Sequence, residues 1–228
     1  MAVNVNLAIL EATRFSSDSI GPLAFAVHAL EAGIYAGEVY AGDRRAGVLE
    51  ISVVEDRTSP QVSIDLCKLN GGGPEAVRRY SCGLHEGKGY ALFFSSHGET
   101  AYRVILSRDG EPVYDSRRPA EGDLWGLTLL RPGPYEMRTG ARGAAGRIEV
   151  KPLERAKDGL PASQAAQVRV TGEKLDPAKL SIRSGDGVVF TLDGKTTLQL
   201  AFAGSDKDGD AGSQFPRRVP GLRPPAAT

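Results

Sequence analysis

The spacing of turns is what most constrains this chain. Gly, Pro and Asp-Gly sequences break the apolar residues into runs shorter than a three-turn helix, and together Gly and Pro make up 42 of 228 residues. Many of the runs alternate: in "QVSIDLCKL" Val62, Ile64 and Leu66 share one face and Gln61, Ser63 and Asp65 the other. Period-two patterning between Gly, Pro and Asp turns predicts strands that bury one face each. No strand-like run is followed by a convincing long helix, so a doubly wound sheet is excluded and an all-β, antiparallel Greek-key β-sandwich is predicted.

Along the chain, "VNVNLAIL" reads as a first strand through Val3, Val5 and Leu7. "SIGPLAFAVHALEAG" fits two structures equally. Pro22 after Ser19 opens a short helix near the N-terminus that Gly33 closes, or the run is a buried strand. "IYAGEVYAG" and "AGVLEISVVED" flank "GDRR" as a hairpin, and "PEAVRR" suggests a helical turn. Between Tyr90 and Ser116 lie two turn sequences, "SHGE" and "RDGE", and Asp109–Gly110 suits a tight hairpin. The expected organisation is a main sandwich over 1–150, a linker or surface excursion over 151–167, an additional hairpin region over 168–203 and a flexible tail over 204–228.

Two stretches resemble cupredoxins. "PGPYEMR" at 132–138 and "GRIEV" at 146–150 are similar to the strands around that family's metal loop, and "VRVTGEKLDPAKLSIRSGDGVVFTLDG" is similar to its opening. The resemblance implies a cupredoxin-like sandwich, with an immunoglobulin-like one as the other form of the fold class. Thr139 stands where the family has a copper-ligating cysteine, Gly140–Ala145 holds no His or Met, and Thr196 and Thr197 stand near the place of the first histidine. Type 1 copper needs thiolate and imidazole ligands, so copper electron transfer is disfavoured and no cofactor is expected.

Other chemistry is sparse. Lys plus Arg equals Asp plus Glu at 28 each, which gives no basic excess for nucleic acid. Cys67 and Cys82 read as ordinary thiols, with Cys67 buried beside Ile64 and Leu66. The alternative is a metal site built from Cys82, His85 and His97 in an enzyme or redox protein. Ser95, Ser96, His97 and Glu99 read as a polar turn, because neighbours on one strand do not converge as nucleophile, base and orienter. Asp206, Asp208 and Asp210 imitate a calcium loop, but Ala211 and Arg217 break it. The aromatic residues, Trp125 among them, read as core, with a carbohydrate-binding sandwich as a further alternative.

The expected function is therefore a non-catalytic structural or protein-binding subunit of an oligomer or larger complex, making contacts through strand edges, the 151–167 excursion or the tail. "MAVNVNLAILEATRF" lacks a basic segment leading into an apolar run. The chain as it stands is expected to be cytoplasmic, unless a signal segment was removed.

Overall fold

The structure is a computed structural model that describes residues 9, 12–55, 58–71, 76–140, 143–153, 162–172, 174–194 and 196–204. The predicted first strand through Val3, Val5 and Leu7, the calcium-like loop, residues 205–228 of the tail and residues 154–161 of the 151–167 excursion lie outside the described residues, while 165–167 of that excursion belong to a strand.

Strands β1 (Arg14–Ser16), β2 (Ala24–Leu30), β3 (Gly33–Ala41), β4 (Arg44–Val53) and β5 (Gln61–Asp65) are followed by a 3-10 turn, Leu66–Gly71. Next come β6 (Val77–Cys82), β7 (Gly89–Phe94), β8 (Tyr102–Arg108), β9 (Glu111–Asp115), β10 (Leu124–Thr128), β11 (Gly133–Thr139) and β12 (Ala145–Lys151). The last are β13 (Ala165–Thr171), β14 (Lys174–Asp176), β15 (Lys179–Arg183), β16 (Gly187–Asp193) and β17 (Leu198–Phe202). Among the described residues they form three sheets, in the orders β6-β4-β3-β8-β9, β15-β12-β11-β17-β1 and β14-β13-β16-β10-β2-β7-β5.

These orders reveal a duplication. The two five-stranded sheets correspond strand for strand in order and pairing: β3 pairs antiparallel with β4 and β8 as β11 does with β12 and β17, and β4 runs parallel to β6 as β12 does to β15. In the seven-stranded sheet, β2 and β7 correspond to β10 and β16, and the parallel pair β5–β7 corresponds to β13–β16. Each repeat therefore runs from an opening strand (β1 or β9) to a last strand (β8 or β17).

The opening strands are exchanged. β9 pairs with β8 of the first repeat, and β1, from the chain's beginning, pairs with β17 of the second. Matching serines fix each exchanged strand: Val104 N–H donates to Ser116 Oγ at 3.1 Å, and Leu198 N–H donates to Ser17 Oγ at 2.9 Å. Both serines are buried. The repeats meet where β2 pairs antiparallel with β10, with Ala26 opposite Trp125. Since these two residues are equivalent in the ladders, an approximate two-fold axis passes between them.

Each five-stranded sheet packs on the same face of the seven-stranded sheet, which produces two cores. One gathers Ile51, Ile64, Phe93, Val104 and Leu106; the other gathers Tyr135, Ile148, Val168, Phe190 and Leu200. Phe93 and Phe190 are equivalents and both are fully buried. Each repeat also ties its third strand with a tyrosine: Tyr35 Oη donates to Glu31 O at 3.0 Å and Tyr135 Oη to Arg131 O at 3.3 Å.

Several expectations change. Of the two structures open to "SIGPLAFAVHALEAG", the short helix is not formed and the buried strand is: it holds β2, a central strand paired on both sides, whose two faces are both apolar and therefore gave no period. The antiparallel sandwich is mixed, with four parallel pairs. Val77 to Arg79 of "PEAVRR" lie in strand β6. "RDGE" forms the β8–β9 hairpin, with Asp109 at φ 54° and Gly110 at φ 84° as a type I′ turn requires. "SHGE" instead carries the chain from the seven-stranded sheet to a five-stranded one. Strands β11 and β12, expected in a main sandwich ending at residue 150, share their core with β13 and β15–β17 from beyond it.

Candidate functional site

The second face of the seven-stranded sheet, opposite the two cores, is the most extensive candidate. Strand alternation sends every other side chain there. Register places Val189, Gly126, Phe25 and Phe94 side by side in one row, and Thr191, Leu124, Val27 and Leu92 in the next. Ala29 and Tyr90 extend the patch. All of these except Gly126 are half-buried, and none belongs to either core. Phe25 leans across the sheet onto Gly126, where a Cβ would lie 2.2 Å from the ring. The patch crosses the β2–β10 joint, so both repeats contribute to it.

A polar corner closes one end of this face. Asp65, opposite Phe94, turns its carboxylate toward the 3-10 turn and the β7–β8 connection. Its Oδ2 accepts from Ser96 Oγ at 2.6 Å, and its Oδ1 from Ser96 N–H at 3.1 Å and the Cys67 thiol at 2.9 Å. Lys68 Nζ stands 3.5 Å away. Burial pushes this carboxyl up, but the hydrogen bonds from Cys67 and Ser96 outweigh it and hold it at about 2. His97 Nδ1 lies 3.0 Å from Ser96 Oγ and 3.2 Å from Cys67 Sγ. Both of those protons already go to Asp65, so neutral His97 carries its proton on Nδ1, and Nε2 is its acceptor nitrogen. As placed, the Cys67 thiol and the Ser96 hydroxyl both serve the corner as donors to the Asp65 carboxylate. Its evident work is to clamp the turn after β5 to the crossover after β7. In the second repeat the place of Asp65 is taken by Arg169.

The sequence candidates fall elsewhere. Cys67, expected to be buried, is half-exposed, because the 3-10 turn starting at Leu66 ends the alternation; Cys82 is the buried thiol. Burial pushes the Cys82 thiol up, and neither cysteine is in a disulfide. His85 exchanges backbone hydrogen bonds with Lys88, and His97 pairs with Cys67 and not with Cys82. Among the described residues no three of His, Cys, Asp and Glu are grouped to hold a metal. Thr139 is buried and donates its hydroxyl to Gly172 O at 3.3 Å, while Gly140 N–H donates to Thr197 O at 3.1 Å. The positions singled out by the cupredoxin resemblance are thus neighbours at one rim, furnished with hydroxyls and backbone.

One polar pair was not read from the sequence. His28 donates Nδ1–H to Asp123 Oδ1 at 2.6 Å across the β2–β10 joint and stacks on Tyr114 at 4.4 Å. The partners are 95 residues apart, and no local pattern links them.

No family model, no curated protein and no solved structure matches the chain.

Proposed function

We propose that this protein is a non-catalytic structural subunit that assembles with a second copy of itself through the outer face of its seven-stranded sheet. The observation that carries the reading is the uncharged apolar patch formed by Phe25, Val27, Leu92, Phe94, Leu124 and Val189, which lies outside both cores. Four strands at about 4.8 Å and about six residues at 3.3 Å give the apolar patch ~380 Å², and with the polar outer side of the flanking strands as a rim the whole face is ~700 Å², near the ~800 Å² per partner of a standard interface. A formal net charge of zero leaves no self-repulsion against pairing.

The face is a better candidate than the strand edges. β1 and β14 have three residues each, β9 contains Pro112, and β6 carries Arg78 and Arg79. These are devices that discourage edge-to-edge pairing. Among the described residues no helix is long and apolar enough to cross a membrane. Within this reading each repeat is a cupredoxin-like sandwich without copper ligands; the mixed sheets favour that form over the antiparallel sheets of an immunoglobulin sandwich.

Light scattering on the full chain tests the proposal. The unmodified chain should have the mass of a dimer at micromolar concentration, and Val27→Lys the mass of a monomer with an unchanged circular-dichroism spectrum. A monomeric unmodified chain, or a dimer indifferent to Val27→Lys, would overturn it.

A further inference from the structure

The two five-stranded sheets are equivalent in their ladders, but their solvent faces differ in charge. On the first repeat's sheet Arg45, Arg79 and Arg103 stand beside Glu38, Glu50 and Asp115, so each of these cations has a carboxylate. The second repeat's sheet turns Tyr135, Met137, Ile148, Val150, Ile182 and Leu200 into its core, and alternation sends their neighbours outward. Register sets Arg14, Ala201, Glu136, Arg147 and Lys179 in one row across all five strands. Arg138 lies on one side of that row and the pair Lys151 and Arg183 on the other. This face therefore carries six cations against two carboxylates, Glu136 and Glu149. The sharpest difference is at one equivalent pair of positions: where the first repeat has Glu50 opposite Arg79, the second has Arg147 opposite Lys179. Like charges directly opposite each other on adjacent strands are unfavourable, and an anion laid between them removes the penalty.

The middle of this face is concave. A groove of about 280 Å³ has Arg138 and Arg147 on its wall and the small residues Pro134, Ala145 and Ala203 in its lining. Each arginine spends one contact on a carboxylate of its own strand, Arg138 on Glu136 at 2.8 Å and Arg147 on Glu149 at 3.1 Å. Both side chains are exposed, and a guanidinium has further N–H donors to offer.

An acidic segment of the chain begins at the edge of this groove. Ala203, in the lining, donates its N–H to Pro134 O at 2.8 Å. The described residues end at Gly204, and the sequence continues "SDKDGD" over 205–210. Asp206, Asp208 and Asp210, which do not complete a calcium loop, recur at period two. An extended chain turns all three carboxylates to one side, about 6.6 Å apart. From Pro134 to Arg138 is about 13 Å along β11, and six residues beyond Gly204 span up to about 20 Å. A chain that turns back at Gly204 therefore brings Asp208 and Asp210 within reach of both arginines.

We infer that residues 205–210 fold back over β11 and β12 and occupy this groove, the carboxylates of Asp208 and Asp210 accepting from Arg147 and Arg138. Single exposed ion pairs are weak, but the segment is tethered at the groove's edge, which gives it a local concentration in the millimolar range. Docked there, it shields a basic face from other acidic chains. The inference is independent of the proposed pairing of copies, which uses the seven-stranded sheet.

Nitrogen-15 relaxation of the full-length chain tests it. In the unmodified chain the amides of Asp206, Asp208 and Asp210 should have order parameters above about 0.6, the bound below which backbone is flexible. They should fall below that bound in Arg138→Glu/Arg147→Glu, and also in 1 M NaCl, where the Debye length is about 3 Å. Adding Asp208→Lys/Asp210→Lys to the two arginine substitutions should restore the order. Asp206→Asn/Asp208→Asn/Asp210→Asn should shift the amide signals of Arg138, Ala145 and Arg147 and leave Ala36 and Glu50, on the equivalent face of the first repeat, in place. A flexible segment in the unmodified chain, order indifferent to the arginine substitutions or to salt, or a charge-reversed set that fails to restore it would overturn the inference. Groove signals that ignore the asparagine variant would do the same, and so would shifts seen only on concentrating the protein, which would put the segment on a second copy.

Discussion

The two repeats share a ladder order, a tyrosine tie, a serine that anchors the neighbour's opening strand and a buried phenylalanine at the same place. They differ where each is left free to differ. The first repeat carries the Asp65 corner, where the second has Arg169. One side of the joint is closed by His28, Asp123 and Tyr114, and at the equivalent place Ala24 and Leu127 stand opposite each other, with no polar pair. The shared features hold the fold, and the unshared ones are where specific contacts have room to arise. Exchange of β1 and β9 means that neither repeat completes its sheet alone, so the two should behave as one cooperative unit.

That equivalence can be broken by experiment. Phe93→Ala and Phe190→Ala each empty a fully buried site and should each cost about 3–5 kcal/mol. Urea unfolding followed by far-ultraviolet dichroism and by Trp125 fluorescence should give one coincident transition in both variants; two separate transitions would show that the repeats fold independently. Ser17→Ala and Ser116→Ala each remove the acceptor of a buried backbone N–H. Each should cost about 1–3 kcal/mol, and a loss from only one would show that the exchanged strands are not held alike.

The Asp65 corner should give a smaller, pH-dependent effect. Its carboxyl is held at about 2, below the ordinary 3.8, so its contribution is complete above about pH 4 and disappears as pH falls through 2. Chemical denaturation between pH 5 and 2 should show a shallower loss of stability in Asp65→Asn than in the unmodified chain. Parallel slopes would remove the corner from the account. Smallest of all should be the change in monomer stability caused by Leu92→Lys on the outer face, within about 0.5 kcal/mol; a core-sized loss would mean the face is already covered within the monomer.

Local chemistry was legible in the sequence and long-range pairing was not. Asp109–Gly110 announced its hairpin because the turn type is set by the two residues themselves. "SHGE" announced a turn but not which sheet the chain would enter next. "AFAVHAL" left helix and strand open because both of its faces are apolar, and that same property marks the exposed side of the sheet as a candidate interface. The contacts of His97 with Cys67 and of His28 with Asp123 join residues 30 and 95 positions apart, beyond the reach of any spacing rule. The duplication left traces, Gly33 and Tyr35 against Gly133 and Tyr135. They are too few to read without the ladders, because the repeats preserve apolar character and not residue identity.

The outer face itself can be observed directly. Methyl resonances of Val27, Leu92, Leu124 and Val189 can be recorded with a soluble paramagnetic agent at concentrations above and below assembly. If a second copy covers the face, all four should be protected when concentrated and broadened on dilution or in Phe25→Lys. Equal broadening at every concentration would contradict the proposed assembly.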